Sequence, residues 1–329
     1  MQTRCLVIRG FILLTVIMLY SCQSSEQGGA VSSVQAEELK IAFWNAENVL
    51  DQYKDPQLEA DEALPVEHVK KKLENISRVI LQMNPDIIGL MEIENHQLLR
   101  ELVSRHLIKS GYQHFVLLEG RDIRGIDVAL VSKYPFMVRS FAIPNFPRGI
   151  MAARFVFNGQ PMYVLVNHWK SRRDGGDDSG ESQRMKAAET LLQIVKSEIS
   201  KYEGREVPII MGGDFNDTDS DKSLQVLTNG GMINTLEHLS REERWTHFYI
   251  DREGEVELMG IDHILSNKLF LKGHGYTWKT SEVVRPKIMS HDRSFKGRHY
   301  QVPLDDYKDR IGFSDHFPVM ATVEIESKP

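Results

Sequence analysis

The stretch PIIMGGDFND, residues 208–217, runs through Ile209, Ile210 and Met211 without a polar interruption and then delivers Asp214 and Asn216. A short continuous apolar run of this kind reads as a strand covered on both faces. Its rim is where the reading turns functional. A buried, unpaired carboxylate costs several kcal/mol unless something compensates its charge, so a core alone would not ask for one there.

The same construction recurs outward in both directions. IAFW leads into Asn45, DIIGLM into Glu92, MYVLV into Asn167 and His168, and Ile261 into Asp262 and His263, while Asp315 and His316 open the final apolar run. Strands are predicted at 41–45, 87–92, 126–132, 151–157, 162–168, 209–214, 261–266 and 317–325. Between them lie segments of helical period. Val69, Leu73, Ile76, Ile80 and Met83 form the apolar stripe of a helix over 66–83, with Lys70, Lys71, Lys72, Glu74 and Arg78 on its other face and Asn84-Pro85 to stop it. A second helix is predicted over 181–201, its stripe Met185, Ala188, Leu192, Val195 and Ile199, with Gly204 just beyond. No internal repeat is present, and the fold class is α/β or α+β.

Alternate residues of an extended strand share a face, which pairs Asn45 with Glu47, Glu92 with Glu94, His168 with Lys170, and Asp214 with Asn216. By the same rule Asp315 and His316 diverge, so the imidazole needs a carboxylate from elsewhere, and Asp262 is the choice. His263 points away from that pair and reads as a core histidine. Oxygen donors without a thiolate favour Mg2+, with Mn2+ or Ca2+ as alternatives, over zinc. A cation beside an Asp-supported histidine, with amide and Lys donors around it, suits phosphoryl chemistry.

At 329 residues, with 41% hydrophobic and 26% charged, the chain can bury a sizeable core. Arg4 and Arg9 precede the apolar run FILLTVIMLY at 11–20, too short to span a bilayer, where about 20 residues are needed. Residues 1–21 read as a signal peptide and LYSC as a lipobox, with Cys22 the lipid-bearing first residue of a membrane-anchored lipoprotein, periplasmic or at the cell surface. Polar residues 22–38 form a flexible tether, and the folded domain runs over 39–329. The only other cysteine, Cys5, lies in the leader, so the domain has neither disulfides nor cysteine-bound zinc. A net charge of -6 argues against a protein that coats nucleic acid by bulk electrostatics. Residues 279–310 run against that charge, with eight basic and five acidic residues, a surplus of +3. Arg293, Lys296, Arg298, His299 and Tyr300 there read either as a phosphate-facing lid or as a basic surface loop.

Taken in order, FWNAEN (43–48), MEIEN (91–95), GIDVALVSK (125–133), VNHWKS (166–171), GGDFND (212–217), IDHILSN (261–267) and FSDHFPV (313–319) resemble the motifs of the endonuclease/exonuclease/phosphatase superfamily. The resemblance spans about 39–326 and implies a four-layer αββα sandwich, deoxyribonuclease-like, with its site at one end of the paired sheets. It makes Asn45 and Glu92 metal-site residues, Glu92 the principal ligand, with Asp315 near the metal and Glu47 secondary. Asp214 would orient or deprotonate the attacking water, Asn216 would bond the phosphate, and His316, paired with Asp262, would polarise it. His168 falls where several members place a second phosphate-contacting histidine. Lys170 and Ser171 are candidate substrate contacts by their place in the motif, and Arg148 a further one; Arg172 and Arg173 read equally as a solvated loop.

The function so implied is a monomeric, divalent-metal-dependent phosphoesterase, most simply a phosphodiesterase or nuclease on extracellular DNA or RNA. Two alternatives stand beside it: a phosphomonoesterase or lipid- or sugar-phosphate hydrolase of the same superfamily, and a binding protein that has lost the chemistry. The second lacks support in the sequence, since no catalytic position is missing.

Overall fold

A computed structural model of the chain describes residues 37–172, 178–250, 255–270, 274–305 and 309–326. The expected leader and nearly all of the tether lie outside the described residues, as does Arg173. No described helix is long and apolar enough to cross a membrane.

Two six-stranded sheets form the centre. The first contains β1 (Glu38–Val49), β2 (Ile87–Ile93), β3 (His114–Leu118), β4 (Asp127–Ser132), β13 (Tyr276–Val283) and β16 (Val319–Ile325), in the order β13-β16-β1-β2-β4-β3. The second contains β5 (Met137–Phe141), β6 (Ile150–Phe157), β7 (Gln160–His168), β8 (Ile209–Asp214), β9 (Met232–Asn234) and β12 (Asp262–Asn267), in the order β5-β6-β7-β8-β12-β9. Each sheet has one parallel pair, β1 with β2 and β7 with β8, and is otherwise antiparallel. Two hairpins stand apart from the sheets: β10 (His247–Ile250) with β11 (Val256–Met259), and β14 (Ser290–Phe295) with β15 (Arg298–Pro303).

Helices cover the outer faces, giving the αββα sandwich. On the first sheet lie α1 (Val66–Met83) and α2 (His96–Leu102). On the second lies α3 (Asp178–Gln193), which continues through a π-helical turn at Ile194–Ile199 into α4 (Ser200–Glu203), with α5 (Lys222–Asn229) beside it. A last short helix, α6 (Arg241–Arg244), carries a capping box from Ser240 and Glu243.

The two covered faces explain why the strands read as unbroken apolar runs. On β7, Met162, Val164 and Val166 enter the core between the sheets, while Tyr163 and Leu165 enter the core under α3. On β8 and β12 the same alternation sends Ile210 and Ile264 between the sheets and Met211 and Leu265 under the helices. Continued to the strand ends, this parity turns His168, Asp214 and Asp262 towards the space between the sheets and His263 away from it. Register then sets them in one row, His168 opposite Asp214 and Asp214 opposite Asp262.

Phe43 of β1 closes the inter-sheet gap, and the space for its ring is made by glycine. A Cβ at Gly212 would lie 2.3 Å from the ring. At Gly213 the backbone has φ +133°, and a Cβ would lie 2.0 Å from the carbonyl oxygen of Asn167 on the parallel neighbour. The GG before Asp214 is thus a packing requirement of both faces.

Three expectations change. Lys72 does not share the solvated face of α1; it is 2% exposed, because it falls on the same three- and four-residue ladder as Val69, Ile76, Val79 and Met83. The buried stripe of α3 is Arg184, Ala187, Ala188 and Leu191, turned about one residue from the expected stripe, and Met185 and Leu192 are only half-buried. The described residues of 279–310 include the end of β13, a 3-10 turn at Lys287–Met289 and the β14–β15 hairpin. That hairpin leans on β10, with Tyr300 5.7 Å and Arg293 5.4 Å from the Phe248 ring, His299 paired with Asp292 and Lys296 with Glu255. No residue of it lines the cleft described next, so it is not a phosphate-facing lid.

Candidate active site

A cleft of about 590 Å³ opens where the two sheets end. Its floor is Asn45, Glu47, Glu92, His168, Asp214, Asn216, Asp315 and His316, and Lys170, Ser171 and Arg148 also line it. Every residue expected in the site, apart from Asp262 behind His316, therefore lines one cavity.

Two strands reach this floor by breaking their own regularity. The pairing of β1 with β2 shifts register between Asn45 and Val49, and that of β2 with β4 between Met91 and Ile93. Glu47, Asn48 and Glu92 in these bulges, and Asn216 after β8, all adopt φ between 43° and 64°. Non-glycine residues in this left-handed region are uncommon and concentrate at functional sites. The bulge at Glu92 also undoes the expected pairing of Glu92 with Glu94. Glu94 turns to the backbone N–H of Asp51 and does not line the cleft.

Asn45 is held at both ends of its amide. Its Oδ1 accepts from the Glu47 N–H at 3.0 Å, and its Nδ2 donates to Asp214 Oδ2 at 3.0 Å and Glu92 Oε1 at 3.4 Å. The amide orients two carboxylates, and its oxygen keeps a second lone pair that a cation could use. Glu92 Oε2 accepts from the Asn48 N–H at 2.8 Å.

Asp214 is 2% exposed, yet its oxygens accept from Asn45 Nδ2, the Asn216 N–H at 2.8 Å and Asn216 Nδ2 at 3.1 Å. Burial raises its pKa to about 7, the charge of Asp262 adding to the rise and His316 opposing it. His316 Nδ1 lies 2.7 Å from Asp262 Oδ2, and its Nε2 lies 3.7 Å from Asp315 Oδ1 and 4.0 Å from Asp214 Oδ2. Burial alone would lower its pKa, but Asp262, Asp315 and Asp214 together raise it well above the ordinary histidine value. His168 is the opposite case. Its Nε2 stands 3.7 Å from both Glu92 and Asp214, and burial, with Arg148, Arg124 and His316 adding, drives its pKa well below the ordinary value. One imidazole is cationic and the other neutral.

Asp315 and His316 both reach the centre because they precede the strand. β16 begins at Val319, after Pro318, which has no N–H to pair. The segment before it is tied to β1: Trp44 Nε1 donates to the His316 carbonyl at 3.0 Å, and Ser314 Oγ donates to the Asn45 carbonyl at 2.6 Å. His263 takes the core position expected of it, its Nε2 2.8 Å from the Asp217 carbonyl.

The basic residues divide. Arg148 is buried, with Nε donating to the His168 carbonyl at 3.2 Å, one terminal nitrogen to the Trp169 carbonyl at 3.0 Å and the other to Asp122. Its donors hold the end of β7, so it is a positioning residue and not the expected substrate contact. Arg172 pairs with Asp221 at 2.7 Å and Asp217 at 3.5 Å. Lys170 and Ser171 remain on the cleft wall beside Arg124.

Sequence reasoning missed four contributors. His247 of β10 packs against His316 with centroids 4.7 Å apart and the rings tilted by 51°, its Nε2 3.4 Å from Asp315 Oδ2; no pattern in the sequence marked it. Arg124 and Asn48 lie across from it, 3.4 Å apart. Lys72 sits beneath the floor, its Nζ 4.0 Å from Glu47 Oε2 and donating to the Phe313 carbonyl at 3.1 Å. A lysine on an apolar stripe was the available signal, because burial of an ammonium demands a carboxylate partner.

Glu47 gives the test of whether a cation fits. Burial raises its pKa to about 8, with Asp315 adding to the rise, Lys72 opposing it, and Asp305 and Glu92 adding further. Glu47, Glu92 and Asp315 line one cleft, where the charges of the other two act on Glu47, and hard oxygen donors of this kind match a divalent cation. Two sets of ligand-type atoms, His247–Asp315–His316 and Asp214–Asp262–His316, also converge within 4.8 Å.

Two sheets sandwiched by helices, with an acid-rich floor and an Asp-supported histidine at their end, define a hydrolase of the phosphoesterase type. A model of the Endonuclease/Exonuclease/phosphatase family matches residues 40–325, and the chain belongs to that family. Among solved structures, it is similar to TDP2 of D. rerio complexed with a single-strand DNA product (18% identity, TM-score 0.57, 88% of this chain and 99% of that one). It is similar also to a mannosyl-6-phosphatase of Bacteroides thetaiotaomicron (16%, 0.56, 87% and 99%) and to an endonuclease/exonuclease/phosphatase family protein of the same species (16%, 0.56, 89% and 100%).

Proposed function

We propose that the chain hydrolyses a P–O ester bond by in-line attack of water, and that its substrate is a compact phosphate ester. The observation that carries the chemistry is the pairing of a cationic His316, fixed by Asp262, with a buried Asp214 whose pKa of about 7 suits a base at neutral pH. His316 Nε2 donates to a non-bridging phosphate oxygen. Asp214, oriented by Asn45 and Asn216, aligns the water and takes its proton. Neutral His168 supplies a second uncharged contact to the phosphate, and Lys170 and Ser171 meet it from the wall. Glu47, Glu92 and Asp315 would hold Mg2+, with Mn2+ or Ca2+ as substitutes, and such an ion supplies charge neutralisation on the phosphate oxygens.

For the substrate, the cleft favours one phosphate over a polymer. The described arginines that line it, Arg124, Arg148 and Arg172, are each paired with an acid. A nucleic-acid backbone is gripped at several phosphates. Extracellular DNA or RNA stays as the second reading, supported by the likeness to a protein complexed with single-strand DNA product. Turnover of p-nitrophenyl phosphate and sugar phosphates, compared with bis(p-nitrophenyl) phosphate, plasmid, RNA, inositol phosphates and sphingomyelin vesicles, with Mg2+ or EDTA, separates the readings. Monoesters should lead; plasmid or RNA cleavage outpacing them would install the second. Export and anchoring through Cys22 belong to the same proposal, and fatty-acid labelling that is lost in Cys22→Ala tests them.

A further inference from the structure

Lys72 lies beneath the floor, and neither the motifs nor the chemistry above employ it. It comes from α1, an element otherwise concerned with covering the first sheet, and projects its ammonium beneath Glu47. Nζ is fixed by the Phe313 carbonyl, two residues before Asp315, so one side chain touches two of the three segments that deliver the carboxylates. Burial lowers its pKa and Arg310 adds to the fall, while the charges of Glu47, Asp315 and Glu92 oppose it. Burying a lysine this completely is expensive, and packing alone would be served better by Met or Leu.

The charge count gives the reason. With Glu47 deprotonated, as a bound ion requires, three carboxylates against one ammonium leave two negative charges, the complement of one divalent ion. We propose that Lys72 is a built-in cation of the metal site, a positioning residue that offsets one carboxylate and so limits the site's attraction for divalent ions to that of a single, exchangeable one. This rests on the reading that Glu47, Glu92 and Asp315 hold the metal. Removing the ammonium leaves the carboxylates with an extra uncompensated charge. Divalent ions should then bind more tightly and the ion-free protein should be less stable, since Coulomb interactions are strong in a poorly solvated site.

The test is calorimetric titration of metal-free full chain with Mn2+ and Mg2+, for wild type, Lys72→Met and Lys72→Arg, with melting curves of each in EDTA and in excess metal. Wild type should bind one ion at the floor. Lys72→Met should bind it about tenfold more tightly or better, melt lower in EDTA, and gain more from added metal. Lys72→Arg, which keeps the charge, should stay within about threefold of wild type. If Lys72→Met does not fold, Lys72→Gln, which can still donate to the Phe313 carbonyl, is read in its place. Unchanged or weaker metal binding in the neutral variant would reduce Lys72 to a structural strut and overturn the proposal. Failure of wild type itself to bind would instead remove the metal reading on which it stands.

Discussion

Asp214 accepts three hydrogen bonds and still titrates near neutrality, since burial and the charge of Asp262 outweigh His316 and the donors. Because its basic form prevails above about pH 7, kcat/KM should rise through that pH and level off above it. A flat profile between pH 5.5 and 8.5 would refute the assignment. Asp214→Asn keeps the hydrogen-bonding shape but not the basicity, and should lose about a thousandfold in kcat, the scale of general-base catalysis. Asp262→Asn acts one bond further out. It removes the charge that holds His316 protonated, so its mark should be a falling limb of the pH profile moved to lower pH, together with a lower kcat. Wild-type pH dependence in that variant would show that His316 keeps its proton by other means.

At the level of the element, the bulges and the GG pair determine where side chains end up. Gly213→Ala would push a methyl against the Asn167 carbonyl at a backbone angle that alanine avoids, and should cost about 2–4 kcal/mol in denaturant unfolding or prevent folding. Arg148→Met should also destabilise, by roughly 3–5 kcal/mol, since it removes the buried partner of Asp122, leaving it the more exposed Arg124, and frees the end of β7. Near-wild-type stability in that variant would mean that Arg148 is available to substrate after all. These same features mark what could be read from the chain beforehand. Parity along β7, β8 and β12 is a property of every extended strand, and it was enough to bring His168, Asp214 and Asp262 together and to send His263 elsewhere. Parity failed at Glu92 and Glu94, and at Asp315 and His316, because a bulge or a proline breaks the period of two and nothing in single residues announces it. Short strands such as β3, β5 and β9, and the β10–β11 hairpin with His247, were not anticipated, being too brief or too weakly apolar to show a period. Lys72 was misassigned for a different reason: residue type was allowed to outweigh helical position.

Across the whole molecule, the carboxylate floor ties stability to pH and to cations. Glu47 has a folded pKa of about 8 against an ordinary 4.5, and Asp214 shifts the same way, so between these values the folded state keeps protons that the unfolded chain has released. Stability of the ion-free protein should therefore fall as pH rises from 5 to 8, reversing the usual carboxylate trend. Excess Mg2+ should raise the melting temperature more at pH 8 than at pH 5, where protons compete for the same oxygens. An equal rise at both values would separate the floor from metal binding. The lock of Phe43 against Gly212 bears on a different property, the division of labour during turnover. With the sheets interlocked directly below the reacting groups, the floor is rigid. Adjustment to a ligand then falls to the rim, where His247 and Tyr249 come from a hairpin and Ile123 and Arg124 from a loop, both outside the two sheets. Exchange of rim residues should alter which ester enters and how fast product leaves with little effect on melting, so selectivity in such a scaffold can be rewritten while its chemistry stays in place.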